Sequence, residues 1–145
     1  TPTGLYNSSI GSVSFGTAND PTWAETISVW GNVAGNRALS LPRDQFAWAF
    51  SSTPASNMMA KSKDTGSGTF VLDTGMEIMG YPVYISELCS GVTFGAWSQM
   101  ILAYWSGLDI LTDPYTNGSA GTVNFYALQD IDVGVRLPSA FCKGA

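Results

Sequence analysis

The apolar residues between Thr22 and Ala34 recur every three or four positions, which is the period of an amphipathic helix. Asp20 or Thr22 can cap the start of this helix, and Thr22 with Glu25 forms a capping-box pattern. Gly35 and Asn36 supply a stop signal. The segment is therefore predicted to be a helix, and the residues expected on its apolar face are Trp23, Ile27, Trp30, Val33 and Ala34.

Large and small residues alternate in the segment Phe46–Phe50, "FAWAF". This period of two predicts a strand with three aromatic side chains on one face and two alanines on the other. A short helix is predicted next, with Pro54 in its first turn and with Met58 and Met59 facing inward.

Several further segments have strand-like composition. Residues 68–74 and 77–86 are each predicted to be strands, and Gly80 and Pro82 in the second suit a sheet edge or a bulge. Residues 91–111 are predicted to be short strands broken at Gly95 and Gly107, and residues 122–137 alternate over two strands. The chain is therefore predicted to be one α+β domain, residues 1–145, with a mixed sheet, flanking helices and more strand than helix.

Charge is scarce in this chain and unevenly placed. Charged residues make up 12% of the 145 residues, about half of the roughly 25% typical of soluble domains, and the net charge is −5. A surface this poor in charge is typical of proteins whose faces contact neighbours, and it is also compatible with a secreted binding module. Because no lysine or arginine lies between Lys63 and Arg136, the sequence argues against specific recognition of nucleic acid.

The two cysteines, Cys89 and Cys142, do not have metal-ligand spacing. We expect two reduced, buried thiols in a cytoplasmic protein, with a single disulfide as the alternative. No apolar run approaches the roughly 20 residues of a membrane-spanning helix, and no signal peptide is recognisable.

Histidine is absent, which removes the usual general base and the usual metal ligand. No phosphate-binding glycine loop occurs either. Asp130 and Asp132, two apart on a predicted strand, could bind a hard cation or act on a sugar, but a solvent-facing strand edge that charge protects from aggregation is the favoured interpretation. We therefore predict no catalytic residues, no cofactor-binding residues and no metal ligands.

The segment Asp109–Thr122, "DILTDPYTNGSAGT", is open to three interpretations. Its aspartates do not have the spacing of a helix-loop-helix calcium site. Asn117-Gly118-Ser119, like Asn7-Ser8-Ser9, is a glycosylation sequon, which matters only in a secretory compartment. Pro114, Asn117-Gly118 and Gly121 are residues that favour turns, so we predict a loop that joins two strands.

Five tryptophans raise the possibility of stacking on sugar rings. Trp23 and Trp30 lie on the predicted apolar face of the helix, and Trp48 lies within an alternating strand, so burial in the core is favoured for these three. Trp97 and Trp105 are not assigned by pattern. A secreted carbohydrate-binding module is therefore kept as the alternative function.

Four motifs stand out along the chain: "PTGLYN" at Pro2–Asn7, "GYPVYIS" at Gly80–Ser86, "FGAWSQMILAYWSGLDILTDPYTN" at Phe94–Asn117 and "NFYALQDIDVGVRLPSAF" at Asn124–Phe141. Taken together and in this order, they resemble the C-terminal part of tailed-phage major capsid proteins with the Hong Kong 97-like fold. The ending "RLPSAF" is similar to the family's Arg-hydrophobic/His-Pro-x-Ala-Phe ending.

The resemblance implies the axial domain of a capsid protein, with residues 1–18 and 120–145, approximately, as candidate peripheral-domain segments. The family's N-terminal arm, extended loop and spine helix are expected upstream of Thr1. The implied function is that of a structural shell subunit of a bacteriophage or prophage. It would assemble with copies of itself into hexamers and pentamers around double-stranded DNA, with scaffold, portal and decoration proteins as possible further partners and no membrane. The implied location is the virion capsid, assembled in the cytoplasm of a bacterial host.

Overall fold

A computed structural model describes residues 4–145, so Pro2 and Thr3 of the first motif lie outside the described range. Within that range the chain forms two α-helices and ten β-strands, with short 3-10 turns between them. The helices are α1 (Trp23–Gly35) and α2 (Ser52–Ala60). The strands are β1 (Gly11–Val13), β2 (Phe46–Phe50), β3 (Glu77–Ile78), β4 (Tyr81–Ile85), β5 (Val92–Ala96), β6 (Met100–Tyr104), β7 (Asp109–Asp113), β8 (Asn124–Leu128), β9 (Ile131–Val135) and β10 (Phe141–Gly144).

Six strands form one mixed sheet in the order β1-β10-β5-β2-β4-β3. The β1–β10 and β2–β4 pairs are parallel, and the other pairs are antiparallel. The remaining four strands form two separate two-stranded ladders, β6–β9 and β7–β8. This architecture confirms the predicted α+β class with a mixed sheet and more strand than helix.

Helix α1 begins as predicted. The Thr22 side chain accepts a hydrogen bond from the Glu25 N–H, and the Glu25 carboxylate accepts one from the Thr22 N–H at 2.7 Å, which completes the capping box. The helix ends at Gly35, and Arg37 takes the left-handed conformation at φ 59°.

The predicted apolar face of α1 is wrong in part. The buried residues are Thr26, Val29 and Val33, whereas Ile27 is 40% exposed. The face of α1 that packs against the sheet is therefore the one with the β-branched residues Thr26, Val29 and Val33. The neighbouring face with the two tryptophans is only partly covered. Helical period alone cannot distinguish these two neighbouring stripes.

The core lies on the face of the sheet that carries the aromatic side chains of β2. Trp48 is completely buried, its ring centroid lies 4.5 Å from that of Phe94, and its Nε1 donates to the Ile78 carbonyl at 3.2 Å. Ala47 and Ala49, on the opposite face of β2, are also buried. The predicted strand and the predicted burial of Trp48 are both confirmed.

Helix α2 buries Met58 completely but leaves Met59 42% exposed, so the prediction that both face inward is wrong for Met59. Consecutive residues of a helix point about 100° apart, and a single packed face cannot hold both. Residues 68–74 are not a strand. Phe70 makes only an isolated bridge to Ser62, while Val71 and Leu72 are buried as irregular backbone.

Two glycines act differently from the prediction. Strand β5 runs straight through Gly95, so no break occurs there. Residues 77–86 form two strands rather than one, because Met79 (φ 55°) and Gly80 (φ 72°) make a tight reversal between β3 and β4. Two successive left-handed residues are the conformation of a two-residue hairpin turn. The predicted break at Gly107, between β6 and β7, is confirmed.

Candidate functional site

Residues 100–135 leave the six-stranded sheet and return to it as a two-stranded ribbon, which we call the β-arm. Its lower half pairs β6 with β9, from Met100 opposite Val135 to Tyr104 opposite Ile131. Its outer half pairs β7 with β8, from Asp109 opposite Leu128 onward. Among residues 4–145, neither ladder pairs with a third strand, so both edges of the ribbon are open.

The two halves of the β-arm meet at an unequal joint, with four residues on the outgoing side and two on the returning side. The Trp105 N–H donates to the Asp130 carbonyl at 3.1 Å, and the Asp130 N–H donates to Ser106 Oγ at 3.0 Å. The two additional residues on the outgoing side act as a bulge, and the ladder is interrupted between its two halves. The Trp105 side chain at this joint is 69% exposed.

The outer half of the β-arm is apolar on both of its faces. Residues directly opposite each other in an antiparallel pair share a face. Phe125, opposite Thr112, lies on one face, and Leu111, opposite Tyr126, lies on the other. Phe125 is 70% exposed and Leu111 is 58% exposed. Neither face is therefore covered by the rest of residues 4–145.

One face of the lower half is also apolar, because Leu102 lies opposite Val133 and Tyr104 lies opposite Ile131. An isolated two-stranded ribbon is marginally stable in water, and an exposed apolar patch of this extent is typical of a surface that another chain segment covers. The exposed large apolar residues of the β-arm are Ile101, Leu102, Tyr104, Trp105, Leu108, Ile110, Leu111, Tyr115, Val123, Phe125, Tyr126, Leu128 and Ile131.

This surface was not identified from pattern, although a signal for it exists. A strand with one solvated face alternates apolar and polar residues, whereas β7 has Ile110 next to Leu111 and β8 has Phe125 next to Tyr126. Adjacent apolar residues place apolar groups on both faces of a strand. Residues 122–137 do form the two strands expected there.

The β-arm carries negative charge only. Its aspartates are Asp109, Asp113, Asp130 and Asp132, and it has no lysine or arginine. Hydrogen bonds from the Thr116 hydroxyl and from the Tyr115 and Thr116 backbone N–H groups hold the pKa of the Asp113 carboxyl below its usual value. Asp113 therefore stays ionised and anchors the turn at the tip of the arm.

The tip of the β-arm agrees with the predicted loop between two strands, but over a shorter span. Residues 114–123 form the connection, whereas Asp109–Asp113 belong to strand β7. Both sequon asparagines, Asn7 and Asn117, are exposed.

The carboxylate pair does not have the predicted arrangement. Asp132 lies in β9, and its Oδ1 accepts from the Val133 N–H at 2.8 Å, but Asp130 lies in the joint before the strand begins. The two residues therefore do not project from one face of a strand. In the part of the chain that the structure describes, no group of three or more histidine, cysteine or acidic side chains could hold a metal ion.

A second feature lies on the sheet face that carries Ala47 and Ala49. A groove of about 480 Å³ is lined by Ala47 and Ala49 of β2, by Tyr84 and Cys89, and by Trp97, whose Nε1 donates to the Ala47 carbonyl at 3.0 Å. Small residues on the central strand create this space. The groove is mostly apolar and lies near the base of the β-arm, since Trp97 precedes β6 by three residues.

The two cysteines are both free thiols, which agrees with the predicted reduced state. Cys142 is buried, and burial raises the pKa of its thiol to about 11. Cys89 is only half-buried, beside the groove, so the prediction that both are buried is wrong for Cys89.

The tryptophans do not form a sugar-stacking platform. Trp48 is in the core, Trp97 packs edge-on against Phe141, and the half-buried Trp23 lies under the Lys63 ammonium. Trp30 is half-buried against the core, short of the full burial expected for it. The exposed Trp105 belongs to the apolar surface of the β-arm.

No helix within residues 4–145 has both the length and the apolar character needed to cross a membrane.

Comparison with known proteins gives one consistent result. The model of the phage capsid family matches residues 1–145. The major capsid protein of Halomonas phage phiHAP-1 is 31% identical over 67 residues, which cover 45% of this chain and 11% of that protein. This chain thus spans a small part of that curated relative.

Solved capsid structures share the fold. The capsid of a native GTA particle matches with a TM-score of 0.67 at 24% identity, covering 94% of this chain and 49% of that one. The capsid of an empty GTA particle matches with a TM-score of 0.63 at 21% identity and the same coverage. A virus-like particle from Pyrococcus furiosus matches with a TM-score of 0.63 at 12% identity, covering 95% of this chain and 57% of that one.

Proposed function

Because the chain belongs to the phage capsid family, we propose that it is a structural part of a bacteriophage or prophage shell subunit, and that its β-arm is a contact surface in the shell. The observation that carries this proposal is the family match along the whole chain, together with an arm whose two faces are apolar and exposed. Burying such a surface is the main favourable term in most protein association.

In this proposal the chain works by fitting against other segments of the capsid polypeptide and against copies of itself in hexamers and pentamers. Contacts in closed rings are heterologous, and weak contacts add up over a shell. A low density of charge keeps repulsion between copies small. The solved capsid chains are about twice as long as this one, which supports the presence of further segments to cover the arm.

The division into domains is also a proposal. We assign the six-stranded sheet and its two helices to the axial domain, and the β-arm to the peripheral domain. The expectation for residues 1–18 and 120–145 is refined by this assignment, since β1 and β10 hydrogen-bond within the six-stranded sheet whereas residues 120–135 belong to the arm. The sheet body would then surround the capsomer axis.

The proposed partners are copies of this chain and, in the complete particle, scaffold, portal and decoration proteins. The chain would enclose double-stranded DNA without specific recognition, because the acidic β-arm offers no cation to phosphate. The proposed location is the virion capsid, after assembly in the cytoplasm of the bacterial host. We propose no catalytic activity, a view that the lack of histidine supports.

The direct test is electron microscopy of the complete capsid polypeptide that contains these residues. We expect wild-type protein to form shells. A variant with Phe125→Ser and Leu111→Ser, one change on each face of the arm, should stay folded by circular dichroism and fail to form shells. The matched control is Leu88→Ser, an equally apolar residue that is 93% exposed but lies outside the arm.

Two outcomes would contradict the proposal. One is a folded wild-type polypeptide that forms no particles under any assembly condition. The other is saturable quenching of tryptophan fluorescence by a glycan, which would favour the carbohydrate-binding alternative. Normal shells from the double variant would leave the family assignment intact and remove the role of the arm.

A further inference from the structure

Asn117 lies in the exposed turn at the tip of the β-arm, and it is the one asparagine in the sequence that a glycine follows. We propose that Asn117 is a site of spontaneous deamidation, through a succinimide ring formed with the backbone nitrogen of Gly118. Asparagine is among the chemically labile residues of proteins. The reaction needs close approach of the next backbone nitrogen to the side-chain amide, and a residue without Cβ hinders that approach least.

Asn117 comes directly before a short turn at the surface. Residues Gly118–Ala120 form one 3-10 turn, which is closed by a hydrogen bond from the Ala120 N–H to the Asn117 carbonyl at 3.0 Å. The Asn117 residue is exposed, so the solvent base and the water that the reaction requires can reach its side-chain amide.

The chemical step is balanced without any cofactor. The Gly118 nitrogen loses its proton to solvent base and attacks Asn117 Cγ, forming the N–Cγ bond. The Cγ–Nδ2 bond then breaks, and the side-chain nitrogen takes up a proton and leaves as ammonia. Water adds to one of the two ring carbonyls and opens the ring. Opening at Cγ yields aspartate, whereas opening at the backbone carbonyl yields isoaspartate with an extra methylene in the main chain.

The other asparagines are poorer sites. Asn36 Nδ2 donates to the Asn32 carbonyl at 3.0 Å, and Asn57 Nδ2 donates to the Asn19 carbonyl at 2.9 Å, so these two amides are held in place. Each of the six other asparagines is followed by a residue with a Cβ. These residues are Ser8, Asp20, Val33, Arg37, Met58 and Phe125.

The modification would alter a charged surface. The β-arm already carries four aspartates and no cation, and conversion of Asn117 would add a fifth negative charge close to Asp113. Isoaspartate would also lengthen the backbone of the turn. Both changes fall on the exposed tip of the arm, away from the core.

The experiment is incubation of the purified 145-residue chain in mildly alkaline buffer, below its unfolding temperature, followed by peptide mapping with mass spectrometry. We expect the peptide that contains Asn117 to change over time to its aspartate and isoaspartate forms, while peptides with the other six asparagines stay intact. Gly118→Ala should slow the conversion severalfold, and Asn117→Gln should abolish it. Gly107→Ala, a substitution into open space in the same arm, is the matched control and should convert like wild type.

The proposal is overturned if Asn117 stays intact in the native chain while it converts in the urea-unfolded chain, because the fold would then block the reaction. It is equally overturned if Gly118→Ala converts as fast as wild type. Both readouts are made on the isolated chain, so neither depends on shell assembly.

Discussion

The ring of Phe141 in β10 lies directly against the backbone of Gly95, its register partner in β5. A Cβ on Gly95 would overlap this ring and would also approach the Ala140 carbonyl at 2.8 Å. The same ring packs edge-on against Trp97, with centroids 5.7 Å apart. Glycine at position 95 therefore permits the close contact between β5 and β10 and leaves room for the Phe141 ring that packs against Trp97, just before the β-arm.

We expect Gly95→Ala to destabilise the chain by about 1–3 kcal/mol, because the added methyl group forces an overpacked core to shift. The measurement is the free energy of unfolding in urea. Gly107→Ala, which adds a methyl group in open space, should change that free energy by less than about 0.5 kcal/mol. Equal effects of the two substitutions would show that the ring moves aside freely.

The capping carboxylate of α1 makes stability depend on pH. The backbone N–H of Thr22 and then that of Gly16 donate to the Glu25 carboxylate, and they lower the pKa of this carboxyl below its ordinary value of 4.5. A pKa that is lowered on folding contributes stability above the ordinary value, and this stability is lost as the pH falls through the lower folded pKa.

Wild-type protein should therefore be more stable than Glu25→Gln near neutral pH, and the difference should shrink as the medium becomes more acidic than pH 4.5. Urea unfolding at a series of pH values checks this expectation. A difference that stays constant across the series would mean that the carboxylate contributes packing rather than charge.

The two thiols should react at different rates. Cys142 is buried, so reagents do not reach it, and burial raises the pKa of its thiol to about 11, which keeps it protonated at neutral pH. Cys89 is only half-buried and lies beside the groove. We expect Ellman's reagent to label Cys89 in the native chain and to label Cys142 only after unfolding. Cys89→Ser should then show no fast phase, and a fast phase that persisted in this variant would contradict the burial of Cys142.

The β-arm should open more easily than the six-stranded sheet. Its ladders have two open edges and exposed side chains, whereas β2 and β5 are central and fully buried. Hydrogen exchange followed by mass spectrometry should show faster exchange for residues 100–135 than for β2 and β5 in the isolated chain. The arm should become protected in assembled shells of the complete polypeptide. If residues 100–135 exchanged as slowly as β2 and β5 in the isolated chain, this prediction would be wrong.

Features that depend on neighbours in the sequence were predictable. The capping box at Thr22 and Glu25 is a contact between residues three apart, and the alternation of Phe46–Phe50 follows from the two-residue period of a strand. The resemblance to capsid proteins, carried by four motifs, identified the family before any fold was described. Pattern and resemblance together were sufficient for the α+β class and for the family.

Features that depend on distant partners were not predictable. Gly95 looks like a break until Phe141, far along the chain, is placed beside it. The orientation of α1 depends on which of two adjacent stripes meets the sheet. The sequences of β7 and β8 are compatible with ordinary strands. Only the tertiary structure shows that nothing in residues 4–145 covers their apolar faces. The preference of a short segment for helix or strand depends on its own residues. Burial of a side chain depends on which distant segments pack against it, and these contacts form only when the chain folds.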